Sequence, residues 1–286
     1  MKTSFINTLL GLLALSSALH ASPLRVQGST TVNPVVAEAA EVLRAERSLI
    51  IQVDTLGGSS GGLTALGEGR VEIAMSSKPV AAADRERHPA VAFHPVHIGE
   101  DAVALIVSHD VWEGGVRAVT REQLQGIYER RITNWKALGG PDRRIVFFNK
   151  EPGRGTWEVF AAWLYGKASA APSVAHPEVG ANEEARSKVA GTRGALSQLS
   201  FSWVDGETIH ALGIRATAEA EPVFPSAATI KAGTYPLSRP LFVVTDGEPA
   251  GAAKELIDYL LAAPGQALVR KHGYLALADL AVSENP

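Results

Sequence analysis

Cysteine is absent from this chain of 286 residues. Without a thiolate, the chain has no disulfide, no cysteine nucleophile, and no thiolate-bound zinc or iron–sulfur cluster. An excess of basic charge is also absent, because 27 Lys and Arg stand against 30 Asp and Glu, a formal net charge of −3. Binding to phosphate backbones needs a clustered cationic surface, so the composition argues against a nucleic-acid partner.

Long apolar runs are missing as well. Residues 1–21 have the pattern of a cleavable export signal, with Lys2 at the start, an apolar stretch from Leu9 to Leu19 and small residues up to Ala21. That stretch is too short to span a bilayer, and no later segment reaches eighteen apolar residues. No cysteine follows the signal to carry a lipid anchor. We therefore expect a soluble periplasmic protein that is not lipid-anchored.

Apolar residues make up 46% of the chain, and at this length two domains are expected. Helical spacing of apolar residues predicts helices at 33–47, around 157–164 and at 252–272. Alternation with strands predicts an α/β fold of mostly parallel sheets with flanking helices. The predicted strands are Leu49–Val53, Val71–Met75, Ala102–Val107, Ile145–Phe148 and Leu241–Val244.

A turn of Gly, Ser and Thr residues recurs three times between a predicted strand and a predicted helix. Its copies are residues 27–31, 57–62 and 151–156. Each copy places backbone N–H groups and a hydroxyl at the positive end of a helix dipole, where a tetrahedral anion binds readily. One such turn alone is typical of helix capping. Three together, all with glycine that allows close backbone approach, predict a shared oxyanion site.

The cationic side chains near these turns are Lys150, just before the third turn, and Arg154 within it, with Lys78 after Met75-Ser76-Ser77. A guanidinium donates two parallel hydrogen bonds to an oxyanion, whereas an ammonium acts as a point charge. Because Arg154 lies between the glycines of its turn, we expect it to hold the anion, with Lys150 in a secondary role.

Two other kinds of site compete with this interpretation. Residues 57–61 fit the Gly-x-Ser-x-Gly turn of α/β-hydrolases, with Asp258 and His272 as an available acid and base. That turn comes too early in the chain for enough strands to support it. His94 and His97 alone are weak evidence of a metal site, because no third ligand is evident. We expect no catalytic residue, no metal and no cofactor.

The motifs resemble those of the PstS-type phosphate-binding proteins of ABC transporters, over nearly the whole mature chain. The resemblance implies a two-lobed periplasmic binding protein of the type II topology, with a hinge between lobes. Its lobes are residues 22–99 with 237–286, and residues 100–236. The motifs are Gly28-Ser29-Thr30-Thr31, Ser59-Ser60-Gly61-Gly62, Ser76-Ser77-Lys78-Pro79, Gly126-Ile127-Tyr128, Ile132-Thr133-Asn134-Trp135, Gly153-Arg154-Gly155-Thr156, Tyr235-Pro236-Leu237-Ser238-Arg239-Pro240 and Gly273-Tyr274.

The resemblance also implies which residues contact the phosphate. They are Thr30, Thr31, Ser59, Ser77, Lys150, Arg154, Gly155 and Thr156. Three of them depart from the family pattern: Ser77 stands where many members have an aspartate that accepts the proton of phosphate, Lys150 where they have the cleft arginine, and Arg154 where they have serine. A carboxylate only accepts hydrogen bonds, whereas a hydroxyl also donates, so Ser77 does not select phosphate over sulfate in the way that an aspartate does.

The implied function is capture of inorganic phosphate between the lobes and its delivery to the membrane permease of an ABC transporter. We expect a monomer that carries out no chemistry. The alternatives are another oxyanion, such as sulfate, molybdate or tungstate, and, far behind, a serine hydrolase that uses the Gly-Gly-Ser-Ser-Gly turn.

Overall fold

The computed structural model describes residues 22–280, so the export signal predicted for residues 1–21 lies outside the described residues. Strands and helices alternate along this range. The strands are β1 (Leu24–Gly28), β2 (Ile51–Asp54), β3 (Ile73–Ser76), β4 (Phe93–Ser108), β5 (Ala118–Thr120), β6 (Val146–Lys150), β7 (Glu178–Val179), β8 (Ala195–Ser200), β9 (Ile209–Arg215) and β10 (Ser238–Asp246). The α-helices are α1 (Asn33–Arg47), α2 (Gly58–Gly67), α3 (Ala82–Arg87), α4 (His109–Glu113), α5 (Arg121–Tyr128), α6 (Gly155–Tyr165), α7 (Asn182–Ala190), α8 (Ala227–Lys231), α9 (Gly251–Leu261), α10 (Ala263–Lys271) and α11 (Leu277–Leu280). Short 3₁₀ helices cover Trp135–Leu138, Ala168–Ala170 and Phe201–Trp203.

The long strand β4 belongs to two sheet regions. Its first part pairs with β10 in the order β2-β1-β3-β10-β4, and its second part pairs with β8 and β9. Strand β8 continues to β6 and β7, and β9 continues to β5. Five of the nine pairings between these strands are parallel, and the antiparallel ones all involve β4 or β10. These two strands therefore connect the two halves of the molecule.

Two separate hydrophobic interiors flank that connection. One half buries Val26, Ile73 and Ile98 together with residues of α1, α9 and α10. The other half buries Val103 and Leu105 against α5, α6 and neighbouring strands. Each interior is therefore stabilised by its own apolar burial, with β4 and β10 passing between the two.

The predicted strands are all present, with bounds shifted by a few residues, and the strand predicted at 102–107 begins earlier, at Phe93. The single helix predicted at 252–272 is wrong, because the structure has two helices, α9 and α10. Pro264 lies in the first turn of α10, where its missing N–H costs nothing, and Ala262 before it is extended. No helix between residues 22 and 280 is long and apolar enough to cross a membrane.

Candidate functional site

The four turns that follow β1, β2, β3 and β6 meet at one cavity between the two halves. It has an empty volume of about 190 Å³. All eight residues predicted to contact the anion line it: Thr30, Thr31, Ser59, Ser77, Lys150, Arg154, Gly155 and Thr156. Strands β1, β2 and β3 are mutually parallel, so their carboxyl ends and the turns that follow them reach the same edge of the sheet. The remaining lining residues are Ser29, Gly58 and Gly180.

Three helices begin at this cavity. The residues before α1, α2 and α6 are Val32, Gly57 and Arg154, and none of these caps its helix with a side chain. Ser29 does accept from the N–H groups of Thr31 and Val32, at 3.1 and 3.4 Å. First-turn N–H groups of α2 and α6 therefore remain free of side-chain caps, as an anion site at helix N-termini requires.

Gly155 is needed where the two halves approach each other. A Cβ there would lie 2.5 Å from Ser77 Oγ and 2.6 Å from Ser59 Oγ. Those two hydroxyls also contact each other at 3.4 Å, and Ser77 N–H donates to Ser59 Oγ at 3.1 Å. The serines of one half and the first residue of α6 are thus packed around the same small space.

A guanidinium that sequence reasoning did not assign to the site lies directly behind these hydroxyls. Arg239 is 1% exposed and pairs with Asp101, which is 2% exposed. Its Nε and Nη2 donate to Asp101 Oδ2 at 3.1 and 2.8 Å. The other hydrogen bonds of the guanidinium go to hydroxyl oxygens: Nη1 donates to Thr156 at 2.9 Å and to Ser77 at 3.4 Å, and Nη2 donates to Thr31 at 3.1 Å.

Lys150 is the second buried cation of the site. Its Nζ donates to the carbonyl oxygens of Gly180 and Ala181 at 2.9 and 2.8 Å, and the residue is 1% exposed. Burial, followed by the positive charges of Arg154 and Arg239, lowers the pKa of Lys150 to about 7. The Lys150 amine therefore changes between its charged and its neutral form near neutral pH.

Arg154 lines the cavity, but its guanidinium has a local partner. Nε and Nη2 donate to Glu151 Oε2 at 2.9 and 2.7 Å. A Cβ on Gly58 would lie 2.7 Å from Arg154 Cδ, so the glycine turn before α2 makes room for the arginine stem. The Arg154 guanidinium, which was expected to hold the anion, is thus also hydrogen-bonded to Glu151. Arg239 is the guanidinium that contacts hydroxyls from both halves.

The residues of the hydrolase alternative do not meet. Ser59 contacts Ser77, whereas His272 Nε2 binds Glu38 at 2.9 Å and Asp258 binds Lys254. No histidine lines the cavity. His94 and His97 likewise contact different carboxylates, those of Glu248 and Glu100. No group of three His, Asp or Glu side chains arranged to hold a metal occurs within residues 22–280.

Comparison with known proteins agrees with the fold. Residues 15–264 match the PBP superfamily domain. The chain is 31% identical over 264 residues to the phosphate-binding protein PstS of Bacillus subtilis, a match that covers 92% of this chain and 83% of that protein.

Two solved structures are similar over most of the chain. One is a putative phosphate ABC transporter substrate-binding protein with bound phosphate from Clostridium perfringens, with a TM-score of 0.77 and 28% identity, over 89% of this chain and 99% of that one. The other is an ABC-type phosphate transport receptor from Vibrio cholerae, with a TM-score of 0.69 and 27% identity, over 88% and 99% of the two chains. The predicted two-lobed α/β fold is confirmed. The chain belongs to the PBP superfamily and, within it, to the PstS-type phosphate-binding proteins.

Proposed function

We propose that this protein binds inorganic phosphate in the cavity between its lobes and delivers it to the membrane permease of an ABC transporter. The observation that carries the proposal is the set of hydroxyls from separate turns that Arg239 holds together. The relatives described above support phosphate as the ligand, since one of the similar structures holds it.

Protein donors already occupy the lone pairs of these hydroxyl oxygens, so the hydroxyls act as donors towards a ligand. Thr31 Oγ1 already accepts from Arg239 and from Asn182 Nδ2, and Ser77 Oγ accepts from Ser29 and from Arg239. The Thr31 hydrogen is therefore free to bind an oxyanion. Ser77 Oγ also contacts Ser59 Oγ, so one hydroxyl hydrogen of this serine pair is free for the ligand. Hydrogen bonds to a charged group contribute roughly 1.5–3 kcal/mol each, and micromolar binding needs about 8 kcal/mol. A few such donors with the helix N-termini are sufficient.

Phosphate also carries a proton that needs an acceptor at neutral pH. No carboxylate lines the cavity. Thr30 lines it and makes no side-chain hydrogen bond to another group within residues 22–280, so its hydroxyl oxygen is free to accept that proton. Thr30 can thus accept this proton as a carboxylate would, but its hydroxyl can also donate and does not repel a fully ionised anion.

The remaining features of the proposal follow from the family and from the shape of the chain. We place the lobes at residues 22–99 with 237–286 and at 100–236, and the hinge where the chain crosses at 98–104 and 234–241. Closure of the lobes binds the anion and opening releases it, with no covalent step and no catalytic residue. The protein acts as a periplasmic monomer, exported by the signal at residues 1–21.

Titration with phosphate and with sulfate by calorimetry, between pH 5 and pH 9, tests the ligand. We expect phosphate to bind one to one with micromolar or tighter affinity, sulfate to bind more weakly, and the affinity for phosphate to change with its protonation. Equal binding of sulfate across this range would contradict the assignment.

Another tetrahedral oxyanion is the second candidate, because Ser77 and the absence of a lining carboxylate leave the cavity without the acceptor that rejects fully ionised anions. The change Ser77→Asp tests this point. Two unit charges about 4 Å apart repel by roughly 4 kcal/mol at an effective dielectric constant of 20. We expect the variant to raise the ratio of phosphate to sulfate affinity at least about tenfold.

The matched control is Ser77→Asn, which has a similar shape and no charge. Competition of each anion against a common reference ligand measures the ratio. An unchanged ratio of phosphate to sulfate affinity in Ser77→Asp would show that a group other than residue 77 distinguishes the two anions by the proton of phosphate.

A further inference from the structure

One buried ion pair joins the two lobes outside the anion cavity. Lys78, which follows β3, contacts Asp84 Oδ2 of α3 at 2.9 Å and Glu158 Oε2 of α6 at 3.0 Å. The other carboxylate oxygen of Glu158 accepts from Ser60 Oγ of α2 at 2.7 Å. We call the Glu158 contacts with Lys78 and Ser60 the interlobe contact. Glu158 does not line the cavity.

Lys78 does not depend on Glu158 alone for a partner of opposite charge. The Lys78 side chain is 5% exposed and that of Asp84 is 8% exposed, and both belong to the same lobe. If the lobes separate, Lys78 keeps Asp84 as its partner. A buried charge that keeps a partner avoids most of the penalty of an unpaired one.

The negative charge of Glu158 is stabilised in both the closed and the open molecule, for a different reason. Its side chain is 24% exposed, and it lies in the first turn of α6, where the helix dipole favours a negative charge. In an open molecule it would be solvated at that helix end. The contact therefore adds stability to the closed state without leaving an unpaired buried charge in the open one.

The same helix carries the contact and part of the anion site. Gly155 and Thr156 begin α6 at the cavity, and Glu158 follows two residues later. In the turn that precedes α6, Gly153 O accepts from Ser60 N–H at 3.0 Å. Docking of the start of α6 against the serine turns thus brings Glu158 to Lys78 and Ser60 in the same movement.

We propose that Glu158 is a positioning residue that holds the lobes closed and sets the affinity for phosphate without touching it. The inference rests on the proposed phosphate-binding function. Because the contact exists only in the closed molecule, its loss lowers the population of the binding-competent state, and the apparent dissociation constant rises by the inverse of that population.

The change Glu158→Gln tests the inference. We expect the Kd for phosphate to rise about tenfold, through faster dissociation measured by stopped flow, with an association rate changed less than the dissociation rate. We also expect the ligand-free variant to have a larger mean radius of gyration by small-angle X-ray scattering. Ser60→Ala removes one hydrogen bond and no charge, and should shift both readouts in the same direction by less.

Glu183→Gln is the matched control, because Glu183 is an exposed acid of the same lobe with no ion pair within residues 22–280. It should leave both readouts unchanged. A Glu158→Gln variant that folds, by circular dichroism, and keeps the wild-type Kd, dissociation rate and radius of gyration would overturn the inference. If the variant does not fold, an unchanged Ser60→Ala variant would overturn it. If the wild-type protein binds no phosphate, the proposed function has failed, and the ligand-free radius of gyration still decides the inference about Glu158.

Discussion

Replacement of Arg239 by lysine is expected to weaken phosphate binding about 100-fold. Lysine keeps the positive charge beside Asp101 but cannot reach that carboxylate, Thr156 and Thr31 together, as the planar guanidinium does. The hydroxyl oxygens of Thr31 and Thr156 then no longer both accept from residue 239, so their hydrogens are no longer directed towards the anion. Loss of two such bonds, at roughly 1.5 kcal/mol each, corresponds to this change in Kd. Calorimetric titration with phosphate measures it.

Two further variants separate binding from folding. Arg239→Met alone leaves the Asp101 carboxylate buried without its cation, which typically costs about 3–5 kcal/mol of stability. The double variant Asp101→Leu with Arg239→Met removes both charges, so we expect it to recover most of that stability and none of the binding. Arg143→Lys, at the ion pair with Asp110 away from the cavity, is the control for the arginine-to-lysine change. Phosphate affinity within threefold of wild type in Arg239→Lys would contradict the role of Arg239.

Much of the lining of the cavity could be predicted from the sequence, because the turns that form it are recognised from residues close together in the chain. Each turn lies directly between a strand and a helix, so its N–H groups and hydroxyls face the helix start whatever the rest of the chain does. Parallel pairing of β1, β2 and β3 brings the turns that follow these strands to one edge, and the turn after β6 meets them from the other half. The resemblance to PstS-type proteins added Ser77 and Lys150, which lie outside the three recurring turns, and all eight residues that it implied line the cavity.

The role of Arg239 was beyond that kind of reasoning because it depends on a long-range register. Strand β10 pairs with β4 so that Arg239 lies opposite Asp101, 138 residues earlier in the chain. The strand predicted at 241–244 stops short of Arg239, so the apolar pattern did not indicate that this arginine is buried and needs a buried partner. Sequence reasoning placed Arg239 in a motif without asking what would neutralise it. Arg154 shows the opposite error, because its partner Glu151 is only three residues away and was not considered.

Uptake of a proton on phosphate binding at pH 8 is the second large effect that we expect. With a pKa of about 7, Lys150 is mostly neutral at pH 8 in the ligand-free protein. A neutral amine has two N–H groups, and the carbonyls of Gly180 and Ala181 use both, so the remaining lone pair would face a bound anion. The ammonium has a third N–H. Binding of phosphate should therefore raise the pKa of Lys150 and take up close to one proton.

Calorimetry at pH 8 in two buffers of different ionisation enthalpy measures this uptake. Lys150→Met should abolish it and should weaken binding at pH 6 about 30-fold, which corresponds to ~2 kcal/mol for one hydrogen bond to a charged group. Lys188→Met is the control, because Lys188 is exposed on α7 and has no ion pair within residues 22–280. Equal proton uptake by Lys150→Met and the wild type would assign the proton to phosphate or to another group.

The same pKa predicts the pH dependence of stability without a ligand. Between pH 7 and the ordinary lysine pKa of 10.5, the unfolded chain binds a proton at Lys150 that the folded protein does not. The free energy of unfolding therefore rises with pH in this window, by up to about 1.4 kcal/mol per pH unit from this group, and is constant below it. Urea unfolding at pH 7 and pH 9 should show this rise in the wild type relative to Lys150→Met. A parallel pH dependence of the two proteins would mean that Lys150 stays protonated in the ligand-free fold, and the proton uptake at pH 8 would then be absent as well.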